Sequence, residues 1–74
     1  MNTSNEKYIK SFGRNFKKIL KEKNLTPSQV AAYSNIETKQ IYRIINGEHS
    51  ASISTLFNIA EGLEMTIKDL FDFE

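Results

Sequence analysis

Apolar residues recur along this chain at three- and four-residue intervals, with polar residues between them. In the first third, Ile9, Phe12, Phe16, Ile19 and Leu20 share one side of a 3.6-residue period, and lysines fill much of the other side. That spacing predicts an amphipathic helix over about 5–23. Its start signal is Thr3 with Glu6 three residues on, and Asn24 is placed to close it in the left-handed region. Gly13 lies inside the helix, where it permits another backbone to approach closely. Residues 1–5 are polar and are expected to fray.

The run Thr26-Pro27-Ser28-Gln29 marks the start of a second helix, about 27–34. Threonine at the cap accepts the Gln29 N–H, and proline at the first position loses no hydrogen bond. Leu25 is placed to staple against Val30, and Ser34-Asn35 breaks the helix, with Asn35 the residue suited to positive φ. Ile36 anchors the turn. Ile41, Ile44 and Ile45 then face inward from a third helix, about 38–46, which ends at Asn46-Gly47. Glu48 to Ala51 reads as a loop. Ser52 caps a fourth helix, about 53–62, with Ile53, Leu56, Ile59, Ala60 and Leu63 toward the core. Thr66 opens a short fifth helix with Asp69 in capping-box position, and Leu70 and Phe71 face the core. No stretch alternates as a strand does. The expected fold is all-α, a compact five-helix bundle.

Length and composition narrow the function classes. Seventy-four residues make one domain with a small core, which leaves little room for an enclosed active site. The chain has no cysteine and a single histidine, His49, placed in a loop. That argues against a disulfide framework, a thiolate metal site or a catalytic triad. No pair of titratable residues converges with a nucleophile, so the expectation is a non-enzyme needing neither cofactor nor metal. The longest apolar run, Val30 to Tyr33, is far short of the ~20 residues a bilayer requires. The first residues lack the apolar core of a signal peptide, so a cytoplasmic, nucleoid-associated protein is expected. Net charge is only +1, yet residues 1–43 carry nine Lys/Arg against three Glu, and residues 44–74 one Lys against six Asp/Glu. One side of the domain thus suits a polyanion. The alternative is a lysine-rich helix that is simply solvated.

Residues 26–47 are the informative unit. Two short helices joined by a tight turn form a helix-turn-helix, whose second helix enters the major groove of DNA. The third helix keeps Ile41, Ile44 and Ile45 inward and leaves Thr38, Lys39, Gln40, Tyr42 and Arg43 outward. Lys39 and Arg43 are four apart and share a face. Lysine or arginine can donate to guanine O6 and N7, glutamine can pair with adenine, and threonine can touch a thymine methyl.

With these residues in place the chain resembles the Cro/repressor-type helix-turn-helix domains, the Xre or lambda-repressor-like family. The resemblance covers about 11–71 and rests on an ordered set: Phe12-Gly13, Ile19, Leu25-Thr26, Gln29-Val30-Ala31, Ile36, Ile41, Ile44, Asn46-Gly47, Ile53 to Leu56, Ile59-Ala60, Leu63 and Leu70-Phe71. It implies the five-helix fold, operator DNA as partner and a homodimer. Carried over by position, it implies base contacts by Thr38, Lys39, Gln40 and Arg43. It places Gln29 on the DNA backbone. Thr26, Ser28 and Ser52, at helix N-termini that suit phosphate, are backbone candidates beside it. So are Tyr42, which otherwise covers the fourth helix, and Asn46, which otherwise only ends its own.

Three positions depart from the family pattern. Asn35 replaces the usual glycine of the turn, which asparagine tolerates. Leu20 and Ile45 stand where many members pair an arginine with a glutamate, so an apolar contact replaces an ion pair. Glu37 stands at the start of the third helix where Ser or Thr is common. Its carboxylate suits the helix dipole but repels phosphate, or else accepts from cytosine N4. Phe57, Met65, Phe71 and Phe73 exceed what so small a monomer needs to bury and are candidates for a dimer patch, or else core. The expected function is sequence-specific DNA binding by a homodimeric transcriptional regulator on an inverted repeat. The alternative is a protein-interaction module, such as an antitoxin-like subunit with a larger partner, that keeps the fold.

Overall fold

The computed structural model describes residues 3–48 and 51–73, with side chains from residue 6 onward. Its helices are α1 (Thr3–Glu22), α2 (Pro27–Ser34), α3 (Thr38–Ile45), α4 (Ile53–Gly62) and α5 (Ile67–Leu70). Among the described residues there is no strand. The first helix starts at Thr3 itself, so Thr3 lies inside α1 rather than before it as the capping-box spacing predicted. Residues 3–5, expected to fray, are helical. Met1, Asn2, His49, Ser50 and Glu74, and with them half of the expected 48–51 loop, lie outside the described residues.

The N-caps follow the local chemistry. Thr26 Oγ1 accepts from Gln29 N at 3.2 Å, and Gln29 Oε1 accepts from Thr26 N at 2.8 Å. Thr66 and Asp69 form the same reciprocal box on α5, and Ser52 Oγ accepts from Thr55 N at 3.1 Å on α4. Helix ends are equally regular. A six-to-one bond closes each of α1 to α4: Leu25 N to Leu20 O, Ile36 N to Ala31 O, Glu48 N to Arg43 O and Met65 N to Ala60 O, at 2.8–3.0 Å. The closing residues Asn24, Asn35, Gly47 and Glu64 all have positive φ, as this motif requires. Asn24, Asn35 and Gly47 were expected; nothing in the sequence marked Glu64.

One core serves all five helices. Phe16, Val30, Ile41, Ile44, Ile59 and Leu70 are fully buried at its centre. Helix α1 packs on α3 and α5, α2 on α3 and α4, and α4 on α5. Leu20 is buried and Ile45 packs against the same cluster, so both members of the apolar pair expected from the family departure belong to the core. Asn15 Nδ2 donates to Leu70 O at 3.1 Å and ties α5 to α1.

Two residues expected in the core are exposed instead, and a third, Leu56, is only half-buried. Ile53 is 72% exposed. It follows the cap directly, about 9 Å along the axis from the buried Ile59, and the apolar stripe of α4 runs on past the domain's edge. Phe71 is 47% exposed. Helix α5 ends at Leu70, and Phe71 packs sideways on Phe12 of α1, ring centroids 5.0 Å apart.

Candidate nucleic-acid interface

The height and tilt of α3 are fixed from three sides. Its inner face is anchored by Ile41 and Ile44, 0% and 1% exposed. Its start is set by the turn, where Asn35 takes φ 57° and ψ 46° and Ile36 packs against the core. Its end rests on α1 at Gly13, where a Cβ would stand 2.6 Å from both Ile44 O and Ile45 O. No side chain fits there, which confirms the close approach expected of Gly13 and identifies its partner.

The outer face of α3 is polar. Lys39 and Arg43 are exposed, and with Gln40 and Glu37 they ring one shallow hollow. Gln40 and Thr38 are half-buried, and Tyr42 and Asn46 are exposed. Three of the four residues expected to meet bases, Lys39, Gln40 and Arg43, are thus brought together. Thr38 sits in the first turn beside them without lining the hollow.

The helix starts expected to meet phosphate differ in what they have left to offer. In α2, Pro27 has no N–H, Thr26 Oγ1 holds the Gln29 N–H and Thr26 O holds the Val30 N–H. The Ser28 N–H remains at the open end, with the Gln29 side-chain amide hydrogens beside it. In α4, the Ser52 hydroxyl both accepts from Thr55 N and donates to Thr55 Oγ1 at 3.0 Å. Donors at that end come from the backbone N–H groups of Ile53 and Ser54 and the hydroxyl of Thr55. Sequence reasoning foresaw Thr26 and Ser52 as caps, but not that the Ser52 hydroxyl also donates to Thr55 Oγ1.

The four apolar candidates for a dimer patch fall in two places. Phe57 and Met65 line a hollow between α4 and α5 with Glu61 and Ile67. Phe71 and Phe73 pack with Phe12 and border a second hollow with Lys7, Tyr8 and Ser11 of α1. The aromatic surface on α1 was missed, because Phe12 and Tyr8 are about sixty residues from the segment that completes it. Tyr33 is 58% exposed and lies beside Leu25 and Gly62, not among the residues of the α3 hollow. Among the described residues, no group of three or more His, Cys, Asp or Glu is placed to hold a metal ion. No described helix is long and apolar enough to cross a membrane.

Comparison with known proteins agrees with this geometry. The family model for the Cro/C1-type HTH DNA-binding domain matches residues 15–74. No curated protein sequence matches the chain. Among solved structures, the restriction-modification controller protein C.AhdI from Aeromonas hydrophila superposes with a TM-score of 0.82 at 19% identity, covering 85% of this chain and 96% of that one. An HTH_3 family transcriptional regulator from Vibrio cholerae gives a TM-score of 0.86 at 25% identity over 90% of this chain. This chain covers only 38% of that protein. The wild-type controller protein C.Esp1396I gives 0.79 at 28% identity, covering 88% and 84%.

Proposed function

The chain belongs to the family of Cro/C1-type helix-turn-helix DNA-binding domains, whose members are transcription regulators, and from that premise we propose that it binds an inverted-repeat operator as a homodimer. The observation that carries this reading is the division of α3 into two faces. Ile41 and Ile44 hold it to the core, while the exposed Lys39 and Arg43 border a common hollow with the half-buried Gln40. A helix so presented fits the major groove, about 12 Å wide.

In this mechanism Thr38, Lys39, Gln40 and Arg43 meet base edges. Thr26, Ser28 and Gln29 at the start of α2, Ser52 at the start of α4, and Tyr42 and Asn46 on α3 position the backbone. For Ser52 the contact runs through the neighbouring N–H groups, since its hydroxyl is engaged by Thr55. Phe57 and Met65, with the exposed Ile53 on the same helix as Phe57, supply the apolar surface for a second copy. A dyad there sets two α3 helices one turn of DNA apart, about 34 Å. Regulation follows from occupancy, with the bound dimer blocking polymerase or recruiting it. The site of action is the cytoplasmic nucleoid, and neither cofactor, metal nor catalysis enters.

The alternative, a protein-interaction subunit, draws on the Phe12–Phe71–Phe73 surface, which the dimer described above leaves uncovered. Replacing Lys39 and Arg43 together by alanine separates the two. Both side chains are exposed, so the fold is expected to hold, with circular dichroism unchanged. Competition gel shift on the gene's own upstream region is expected to show specific affinity falling at least a hundredfold, since each good base pairing contributes about 1–3 kcal/mol of discrimination. The salt slope falls as well, by about one for each phosphate that is no longer neutralised. Unchanged binding, or a wild-type protein with no preference over random duplex, favours the interaction module.

A further inference from the structure

Four N-caps are described in this fold, and one of them does not cap. Thr26, Ser52 and Thr66 each accept the N–H three residues on. Glu37 holds the same position before α3, with the same extended backbone at φ −70° and ψ 139°, yet its side chain makes no cap bond. Glutamate is not among the residues that cap well, so the sequence gives up a favourable interaction at this one helix.

The same residue is also unfavourable for the electrostatics of binding. Its carboxylate is exposed and borders the hollow with Lys39, Gln40 and Arg43, at the end of α3 that points toward base edges. A negative charge there repels the phosphates that attract the lysines and arginines. A residue that forgoes the cap bond, keeping only the favour of the helix dipole, and that also opposes the non-specific attraction departs from local preference twice. Such departures are expected where function requires them.

The major groove presents two amino donors, adenine N6 and cytosine N4. Adenine sets the N7 acceptor beside its amine, and a carboxylate is repelled by it. Cytosine offers the amine with no acceptor on its own edge. Lys39 and Arg43, on the same hollow, supply donors for the guanine O6 and N7 that lie across the pair. We propose that Glu37 is a specificity-determining residue that accepts from the N4 amine of one cytosine in each half-site. This rests on the DNA-binding reading above and adds to it a named base.

The test is selection from a random duplex pool with the full chain, using wild type, Glu37→Gln and Glu37→Ser. Wild type is expected to enrich cytosine at one position per half-site. Both variants lose that preference by roughly five- to hundredfold, keep the preferences at the other positions, and bind random duplex more tightly. Glu37→Ser also gains the missing cap, and its Tm rises by about 4 °C or more, so lost specificity is not confused with lost folding. Identical position weights in all three proteins overturn the proposal, and so does a wild-type preference at the affected position for any base but cytosine. A uniform change in affinity without a change in weights means Glu37 acts only on its neighbours' charge, which also overturns it. If wild type enriches nothing, the DNA-binding reading itself fails.

Discussion

Gly13 and Gly62 do the same geometric work in two different contacts, and the surroundings decide what each one controls. Gly13 of α1 meets backbone first: a Cβ would stand 2.6 Å from Ile44 O and Ile45 O and 3.1 Å from Ile45 C. Gly62 of α4 faces a side chain first, Ser34 Oγ at 2.7 Å, and only then the backbone of Tyr33 and Ser34 at 3.0–3.1 Å. Backbone at the end of a helix cannot step aside without moving the helix. A hydroxyl can rotate or be removed. The α1–α3 contact therefore sets where the outward face of α3 stands, whereas the α2–α4 contact sets how tightly the scaffold closes.

The largest expected effect is at the rigid contact. Overpacking costs about 1–3 kcal/mol, and Gly13→Ala, which meets two carbonyls at once, belongs at the upper end; after the ~1 kcal/mol that alanine gains in a helix, a net loss of about 2 kcal/mol is expected. Urea unfolding measures it. The sharper reading is DNA affinity at a temperature where the variant is still folded, which should fall because α3 has been pushed outward. A folded Gly13→Ala protein with wild-type affinity would falsify the idea that Gly13 sets the recognition helix.

Gly62→Ala is the milder counterpart, with an expected loss of about 1–2 kcal/mol and no change in DNA affinity of the folded protein. Ser34 makes the contrast testable. Its Oγ is buried and has no hydrogen-bond partner among the described residues. Ser34→Ala alone should stabilise by about 0.5–1 kcal/mol, because an unsatisfied buried hydroxyl is removed. In the double variant the Oγ that the new methyl would strike is gone. The two changes should therefore couple favourably, by about 0.5 kcal/mol or more in a double-mutant cycle. Strict additivity would mean that the backbone of Tyr33 and Ser34, not the hydroxyl, is the obstacle, and the two glycine contacts would be alike after all.

This comparison also marks how far the sequence could be read. Gly13 was legible as a point of close approach because glycine inside a strongly periodic helix has few other reasons to be there. Its partner was not, since that depends on where α3 ends in space. Thr26-Pro27-Ser28-Gln29 and Asn35 announced the helix-turn-helix because caps and turns are set by chemistry within a few residues. Lys39 and Arg43 were legible on the outer face for the same local reason. Ile53 and Phe71 were misplaced because periodicity defines a stripe, not where the neighbouring helices stop covering it. Phe57 and Met65 were grouped with Phe71 and Phe73 because they are near in sequence, while α1 supplies the second surface from the other end of the chain. The second bond of Ser52, donated to Thr55 Oγ1, was hidden because the hydroxyl hydrogen of a cap has two partners to choose from, solvent or its own helix.

The smallest effect lies two residues beyond Gly62 and asks whether that end of α4 is held by packing or by its closing turn. Glu64 has φ 57°, with Met65 N bonded to Ala60 O at 2.8 Å. The left-handed conformation costs an ordinary L-residue about 1–2 kcal/mol, and glycine returns part of that by greater freedom in the unfolded chain, so Glu64→Gly should stabilise by about 0.5 kcal/mol. The same substitution in the Gly62→Ala protein distinguishes the two sources of order. If the closing turn is independent of the α2–α4 contact, the gain persists unchanged. If Gly62→Ala has already shifted the end of α4, the turn no longer needs its left-handed residue and the gain vanishes. Either result leaves DNA affinity untouched, because Glu64 borders the hollow beside Tyr33 and Leu63, away from Lys39 and Arg43. A change in affinity from this position would mean that α4 reports on α3 through α2, and that the two glycine contacts are mechanically one.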